Sequence, residues 1–175
     1  LSSSNQYGLI IGCEQLSRIV DFQDRSTCIL FGDGAGAVVV EPSSSLFISY
    51  NDASGTKLPL LASYQKDDPY LHMQGQDVFK FATKVIVKSI DHVLEKAHLT
   101  IDDIDYVVCH QANQRIIQFV YKKLKCSSDK FFMNLDEFGN TSAASIPMVL
   151  AQMNEQGLLK NNMKIICVGF GGGLT

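Results

Sequence analysis

Long apolar segments are missing from this sequence. No apolar run approaches the roughly 20 residues that a membrane-spanning helix needs. The amino end also lacks the basic stretch followed by an apolar stretch that marks a secretory signal. We therefore predict a cytoplasmic protein with no membrane partner.

Paired cysteines are missing as well. The five cysteines are odd in number, scattered and never spaced as C-x-x-C; they are Cys13, Cys28, Cys109, Cys126 and Cys167. This pattern argues against a disulfide framework and against a zinc site. We predict a reducing compartment and no bound metal.

Neither sign of charge dominates. Fifteen Lys and Arg residues stand against 18 Asp and Glu, so the net charge is -3. Such a chain has no global basic field for holding nucleic acid, and we predict no nucleic-acid partner. Since 46% of the 175 residues are hydrophobic, the chain can bury a core as one globular domain.

What the sequence does contain is an alternation of short strands and helices. Apolar, β-rich runs predict strands at residues 7–12, 28–31, 35–40, 46–50, 106–109, 131–135 and 164–169. Helical spacing predicts helices at residues 14–20, 76–96, 113–124 and 145–154. The alternation predicts an α/β fold, with ligand sites beyond the carboxyl ends of the strands. Because the chain starts without Met and stops in glycines after an apolar run, we expect a piece of a longer protein.

Two polar residues lie where such a site is expected. His110 joins a predicted strand to a predicted helix, and Asn140 lies among small residues at another helix start. A histidine in that position can be a satisfied core residue, and the asparagine can be a cap in a tight turn. Either residue alone is a weak signal for chemistry.

Six motifs in a fixed order strengthen the signal. They are DRS at residues 24–26, FGDGAGA at 31–37, GQDVFK at 75–80, HQAN at 110–113, GNTSAAS at 139–145 and GFGGG at 169–173. In this order the motifs resemble the C-terminal half of the β-ketoacyl-acyl-carrier-protein synthase III family, condensing enzymes of the thiolase superfamily. The resemblance covers nearly the whole chain, and an ordered set is far more specific than any single motif.

The resemblance implies a fold, a reaction and partners. The fold is the thiolase-like layered α/β/α arrangement, with residues 1–70 ending the N-terminal half and residues 71–175 forming a truncated C-terminal half. The reaction condenses an acyl-CoA, with acetyl-CoA the expected case, with malonyl-acyl carrier protein to start fatty acid biosynthesis. The enzyme would be a homodimer without a cofactor, because the CoA thioester is a substrate. The nucleophilic cysteine lies upstream of this chain in the family, so we expect this fragment alone to be inactive.

The resemblance also assigns residues to roles. His110, as a neutral imidazole, and Asn140 would be catalytic, because their N–H groups would stabilise the enolate that decarboxylation leaves. The acyl-CoA would contact Arg25, Arg115, Met73, Gly75, Gln76, Phe79, Ala112 and Ile116. The oxyanion and active-site loop would consist of Phe170, Gly171, Gly172 and Gly173. The carrier protein would dock on Lys80, Arg115, Lys122 and Lys123.

Plainer explanations accompany these assignments. Each cation could be an ordinary surface charge, and the apolar residues could belong to the core. Ser26, Gln76 and Leu174 depart from the residues usual in the family, which leaves the acyl-chain preference open. Cys109 is predicted to point away from the site, since neighbouring side chains of a strand face opposite sides.

Other functions also fit the motifs. Two lie in the same superfamily, a polyketide starter synthase and a hydroxymethylglutaryl-CoA-type synthase. A third is a non-catalytic module that binds CoA or a carrier protein. Half of a pseudo-symmetric enzyme would expose the apolar face that its other half covers, so we expect the isolated chain to self-associate.

Overall fold

The computed structural model describes residues 6–54, 61–62 and 68–172. Within them the strands are β1 (Gly8–Glu14), β2 (Gly34–Val40), β3 (Leu61–Ala62), β4 (His72–Met73), β5 (Tyr106–Cys109) and β6 (Ile165–Val168). The α-helices of this part of the chain are α1 (Gly75–Ala97), α2 (Gln114–Leu124), α3 (Leu135–Phe138) and α4 (Ser145–Glu155). The strands pair as β1 with β2 and β3 with β4, both antiparallel, and as β5 with β6, parallel.

The β5–β6 pair lies between two layers of helix. On one face, Val107 and Cys109 are buried in a cluster with side chains of α1 and α2. On the other face, Val108 is buried with Val149 and Met153 of α4. The side chains of successive β5 residues therefore lie in the core clusters on opposite faces of the strand, as strand geometry requires. Helices cover both faces of the strands, which confirms the predicted α/β layering.

The helix α1 follows the predicted apolar stripe. Its buried aliphatic side chains recur every four positions, as Val78, Ala82, Ile86, Ile90 and Leu94. Burial of each of the larger ones contributes about 1.5–3 kcal/mol. The helix ends where His98 adopts the left-handed conformation, with a φ of 55°. No helix in the described ranges is both long enough and apolar enough to cross a bilayer.

The hairpin of β1 and β2 packs against α4 and the 3₁₀ turn Ser142–Ala144 that precedes it. A Cβ atom at Gly12 would overlap the carbonyl of Ala143, and one at Gly36 would lie 2.8 Å from the Met148 nitrogen. These close approaches require glycine. The opposite face of the hairpin is exposed and apolar, and it consists of Leu9, Ile11, Cys13, Ala35, Ala37 and Val39.

The predicted strand at residues 28–31 is wrong. The Asp24 carboxylate accepts hydrogen bonds from Ser26 and Thr27, and the Asp24 carbonyl accepts one from the Cys28 N–H. These local bonds wind residues 25–30 into turns. Only Phe31 pairs with another segment, in an isolated bridge to Asn140.

The strand predicted at residues 131–135 is also wrong. The side chain of Gln111 occupies the position of a strand partner: its amide nitrogen donates to the Phe132 carbonyl and its oxygen accepts from the Asn134 N–H. Residue 135 instead begins α3.

Two further predictions fail for local reasons. Residues 46–50 form no strand, and Leu46 and Phe47 there are 66% and 85% exposed, with no strand of the described chain beside them. The helix predicted at 14–20 is only the 3₁₀ turn Leu16–Arg18, because Glu14 still belongs to β1.

Candidate active site

A cavity of about 1200 Å³ opens beyond the carboxyl ends of β5 and β6. The amino ends of α1 and α2, the turn before α4 and the segment after β6 surround it. Thirteen of the residues assigned from the motifs line this one cavity: Met73, Gly75, Gln76, Phe79, Lys80, His110, Ala112, Arg115, Ile116, Asn140, Phe170, Gly171 and Gly172. The fold therefore brings together residues that are up to 99 positions apart in the sequence.

The backbone of β6 and two side chains position His110. Its N–H donates to the Val168 carbonyl at 2.8 Å, which continues the β5–β6 pairing by one residue. Its ring meets the Phe170 ring edge to face, with centroids 5.3 Å apart. Its Nδ1 lies 2.7 Å from Ser145 Oγ. The other ring nitrogen, Nε2, makes no hydrogen bond with the described residues and is available to the cavity.

Burial sets the charge of this imidazole. Removal from water lowers the pKa of His110 from 6.5 to about 4. The ring is therefore neutral at pH 7, in agreement with the neutral imidazole expected from the sequence. A neutral imidazole has one N–H donor and one acceptor nitrogen.

Backbone hydrogen bonds on both sides hold Asn140. Its N–H donates to the Leu30 carbonyl at 2.8 Å, and its carbonyl accepts from the Gly32 N–H at 2.9 Å. Gly139, just before it, has a φ of 67° and a ψ of -161°, a combination that essentially only glycine adopts. The residues that precede β2 thus fix the position of this asparagine.

A local hydrogen bond orients the Asn140 amide. The side-chain oxygen accepts from the Ser142 N–H at 2.9 Å. The amide nitrogen must then lie on the opposite branch, and it makes no hydrogen bond within the described part of the chain. Asn140 thus presents a donor to the cavity.

The segment after β6 closes one side of the cavity. Phe170 is 9% exposed and packs in the core cluster of α1 and α2. A Cβ atom at Gly171 would meet no atom within 4 Å, and one at Gly172 would lie 3.6 Å from the Leu61 carbonyl. The glycines leave space here. Gly173 lies outside the described residues.

The assigned cations divide into three groups. Arg115, in the first turn of α2, and Lys80, on α1, are exposed at the cavity, and Lys80 also lies 3.3 Å from the Asp77 carboxylate. Arg25 is exposed and does not line the cavity, although its neighbour Ser26 does. Lys122 and Lys123 are exposed on α2 outside the cavity. The structure thus separates cations at the pocket from cations on the outer surface.

All five cysteines are described, and none of them lines the cavity. Cys109 is 1% exposed, and burial raises the pKa of its thiol to about 12. Its side chain points into the core beside α1 and α2. This agrees with the prediction that Cys109 points away from the site, because its neighbour His110 faces the cavity. A thiol that is protonated at neutral pH is a poor nucleophile.

Sequence reasoning missed contributions to the site from two serines and several apolar residues. The backbone of Ser142 and the hydroxyl of Ser145 contact Asn140 and His110, and both serines line the cavity. The motif GNTSAAS contains both, yet its small residues suggested only close approach. The other lining residues without an assigned role include Leu16, Leu30, Phe31, Leu61 and Leu71. No motif signal distinguishes these from ordinary core residues.

Family models and known proteins match this chain in sequence. The family model described as "3-Oxoacyl-[acyl-carrier-protein (ACP)] synthase III C terminal" matches residues 94–175, and the one described as "3-Oxoacyl-[acyl-carrier-protein (ACP)] synthase III" matches residues 2–54. The beta-ketoacyl-[acyl-carrier-protein] synthase III of Clostridium novyi (strain NT) is 47% identical over 188 residues, which cover 99% of this chain and 58% of that protein.

Solved structures extend the comparison. The crystal structure of 3-oxoacyl-[acyl-carrier-protein] synthase III from Aquifex aeolicus VF5 matches with a TM-score of 0.92 at 41% identity, over 97% of this chain and 55% of that one. The priming beta-ketosynthase from the R1128 polyketide biosynthetic pathway matches with a TM-score of 0.91 at 33% identity, over 99% and 56%. The chain spans a little over half the length of these relatives, and it has their thiolase-like fold. It belongs to the β-ketoacyl-acyl-carrier-protein synthase III family.

Proposed function

We propose that the full-length protein is a β-ketoacyl-acyl-carrier-protein synthase III, which condenses an acyl-CoA with malonyl-acyl carrier protein. The observation that carries this proposal is the pairing of His110 and Asn140 in one cavity. Each has one polar atom bound by the protein and one left for a ligand. Two N–H donors in a largely apolar site suit a substrate oxygen on which negative charge develops.

The reaction consists of two half-reactions. A cysteine thiolate from the remainder of the protein attacks the acyl-CoA thioester, and CoA leaves as its thiolate, which takes a proton from water. The malonyl group then loses carbon dioxide, and the electron pair of the broken bond forms an enolate of the carrier thioester. His110 and Asn140 donate to the enolate oxygen. The enolate carbon attacks the acyl-cysteine, and expulsion of the thiolate gives the β-ketoacyl-carrier product.

The cavity suits a long thioester substrate. Its volume of about 1200 Å³ exceeds that of a small-metabolite pocket. Apolar walls formed by Met73, Phe79, Ala112 and Ile116 line it, and Arg115 lies exposed where it opens. A guanidinium at this position can pair with a phosphate or stack on adenine, as the nucleotide end of CoA requires. Arg25 would contact the same nucleotide from outside the cavity.

The outer surface of α2 suits an acidic carrier protein. Arg115, Phe119 and Lys122 follow each other at intervals of four and three residues, so they share a helix face with Lys123 beside it. Phe119 is 43% exposed, and its ring lies 6.5 Å from that of Phe79 at the cavity. In a chain with a net charge of -3, this local basic surface would attract an acidic partner.

Further parts of the proposal concern the whole enzyme. No cysteine of the described residues lines the cavity, and burial raises the pKa of the Cys109 thiol to about 12, so this chain alone would not catalyse the condensation. The intact protein would be a cytoplasmic homodimer without a metal or a cofactor, since its acyl-CoA is consumed as a substrate.

Decarboxylation of malonyl-acyl carrier protein tests the proposal. Carbon dioxide release would be measured with the full-length protein and with its His110→Ala and Asn140→Ala variants. Both variants should lose about a hundredfold or more in rate, which is the scale of removing an oxyanion donor. Asn154→Ala, an exposed asparagine of α4, provides the matched control and should retain the rate.

The opposite result has a defined meaning. Undiminished release in both variants would assign His110 and Asn140 a structural role. No release from the wild type itself would instead favour a module that binds CoA or a carrier protein without catalysis.

A second function is favoured by the close structural match to the priming ketosynthase of a polyketide pathway. Ser26 and Gln76, which depart from the residues usual in the family, both line the cavity, where they would affect which primer fits. A panel of acyl-CoA primers of increasing chain length would separate the two functions. Preference for acetyl-CoA supports fatty acid initiation, whereas preference for longer primers supports the polyketide function or another condensing role.

A further inference from the structure

The hydroxyl of Ser145 lies behind the candidate catalytic histidine. Ser145 is the first residue of α4 and is 2% exposed. Its Oγ lies 2.7 Å from His110 Nδ1 and 3.4 Å from the backbone nitrogen of Gln111. The serine and the histidine are 35 positions apart in the sequence, and the fold brings them into contact.

Counting hydrogens determines the direction of these bonds. The Gln111 N–H can only donate, so it uses a lone pair of the Ser145 oxygen. Nδ1 of His110 is the acceptor within reach of the hydroxyl hydrogen in the described part of the chain. If Nδ1 carried a hydrogen, the buried serine hydroxyl would have no acceptor, which costs about 1–3 kcal/mol. The arrangement therefore favours an unprotonated Nδ1.

We propose that Ser145 is a positioning residue that holds His110 as the Nε2–H tautomer. The serine donates to Nδ1, and Nε2 must then carry the single hydrogen of the neutral ring. That hydrogen faces the cavity, where Nε2 has no partner among the described residues. The catalytic consequence rests on the proposed function, because an enolate oxygen needs a donor at that point.

One turn presets both donors. Residues 142–145 supply the Ser142 N–H that binds the Asn140 oxygen and the Ser145 hydroxyl that binds His110 Nδ1. Ser142 adopts a φ of 52°, in the left-handed region, where the short turn into α4 needs it. The amide and the imidazole thus both present N–H groups to the ligand without rearrangement.

Nitrogen-15 NMR tests this directly in the full-length protein labelled at histidine. The two-bond correlations of the imidazole distinguish Nε2–H from Nδ1–H in a neutral ring. The wild type should show His110 as Nε2–H at pH 7. A wild-type spectrum with the hydrogen on Nδ1 would overturn the proposal, whatever the activity.

Variants separate positioning from folding. Ser145→Ala should give a mixture of tautomers and lower kcat for decarboxylation by about tenfold, with KM little changed, which is the scale of losing a partner that orients a functional histidine. Ser145→Thr keeps the hydroxyl and should restore the Nε2–H signal. An unaltered Nε2–H spectrum in Ser145→Ala would also overturn the proposal.

Asn140→Ala separates this inference from the proposed function. It should lower decarboxylation by about a hundredfold or more and leave the His110 tautomer unchanged. If the wild type shows Nε2–H but no decarboxylation, the positioning role of Ser145 stands and the proposed function fails.

Discussion

His110 and Asn140 illustrate how a residue becomes a directed donor. Each has two polar side-chain atoms, and in each the protein occupies one of them: Ser145 Oγ binds Nδ1 of the histidine, and the Ser142 N–H binds the oxygen of the asparagine. The remaining atom is directed to the cavity. Such preorganisation avoids a reorientation when charge develops on the substrate.

The depressed pKa of His110 has a consequence for stability. The folded protein protonates this ring only near pH 4, whereas an unfolded chain does so near 6.5. The contribution of the neutral ring is therefore complete above pH 6.5 and is lost as the pH falls towards 4, at up to about 1.4 kcal/mol per pH unit. Urea unfolding would be measured for the wild type and for His110→Gln between pH 7 and 4.5. As the pH falls, the free energy of unfolding should decrease more steeply in the wild type than in the variant. Equal slopes would contradict the assignment of the pKa.

The backbone at Gly139 gives a second prediction at the residue scale. Its φ of 67° with a ψ of -161° excludes a side chain, and an added Cβ would lie 3.1 Å from the Leu30 carbonyl. Gly139→Ala should lose about 1–3 kcal/mol of stability and shift Asn140, lowering decarboxylation. Gly157→Ala is the matched control, because Gly157 also has a φ of 67° but lies after α4, away from the cavity. Gly157→Ala should lose stability, but the protein that stays folded should decarboxylate at the wild-type rate.

At the scale of elements, the hairpin supports the turn that carries the two donors. Gly12 of β1 lies against the backbone of Ala143 and Ala144, within the 3₁₀ turn that follows Asn140. At Gly12 and Gly36 the β1–β2 pair thus packs at backbone distance against the turn and the start of α4. We therefore expect the position of Asn140 to depend on this contact as well as on its own hydrogen bonds.

A methyl group at Gly12 tests that dependence. Gly12→Ala would overlap the Ala143 carbonyl and should cost about 1–3 kcal/mol in the free energy of unfolding. Decarboxylation should fall more than the folded fraction does, because the turn moves. Ser128→Thr, which adds one methyl group at an exposed position after α2, is the control and should be neutral. A neutral Gly12→Ala would show that the hairpin can separate from the turn without consequence.

For the whole molecule, the exposed hairpin face is the feature that most needs a partner. Leu9, Ile11 and Val39 are 62–69% exposed on it, and no polar side chain interrupts it. The chain spans 58% of its Clostridium novyi relative, so a substantial part of that fold lies outside it. A contiguous apolar face of this kind drives association when it is left uncovered.

The 175-residue chain expressed alone should therefore self-associate at micromolar concentration. Sedimentation velocity should show species larger than a monomer. Val39→Lys should shift the distribution towards the monomer, because a buried unpaired charge opposes association. Gln156→Lys, at an exposed position beyond α4, adds the same charge elsewhere and should leave it unchanged. A clean wild-type monomer would refute the prediction.

The division of the chain into two halves at residue 70 stays a prediction.

Local patterns in the sequence by themselves determined the main helices, the family and two residues of the candidate site. Periodicity placed α1 and α2 within two residues of their ends, and the motif order identified the family and brought His110 and Asn140 forward. These features succeed because helical spacing and glycine-rich turns are encoded within a few neighbouring residues.

Only the tertiary structure decided which distant groups become hydrogen-bond partners. Residues 131–135 have the composition of a strand, yet the Gln111 side chain takes hydrogen bonds that a ladder would need, at the Phe132 carbonyl and the Asn134 N–H. The hydroxyl that orients His110 comes from Ser145, 35 positions away. A residue's hydrogen-bond partner is set by which segments pack together, and composition does not encode that at such distances.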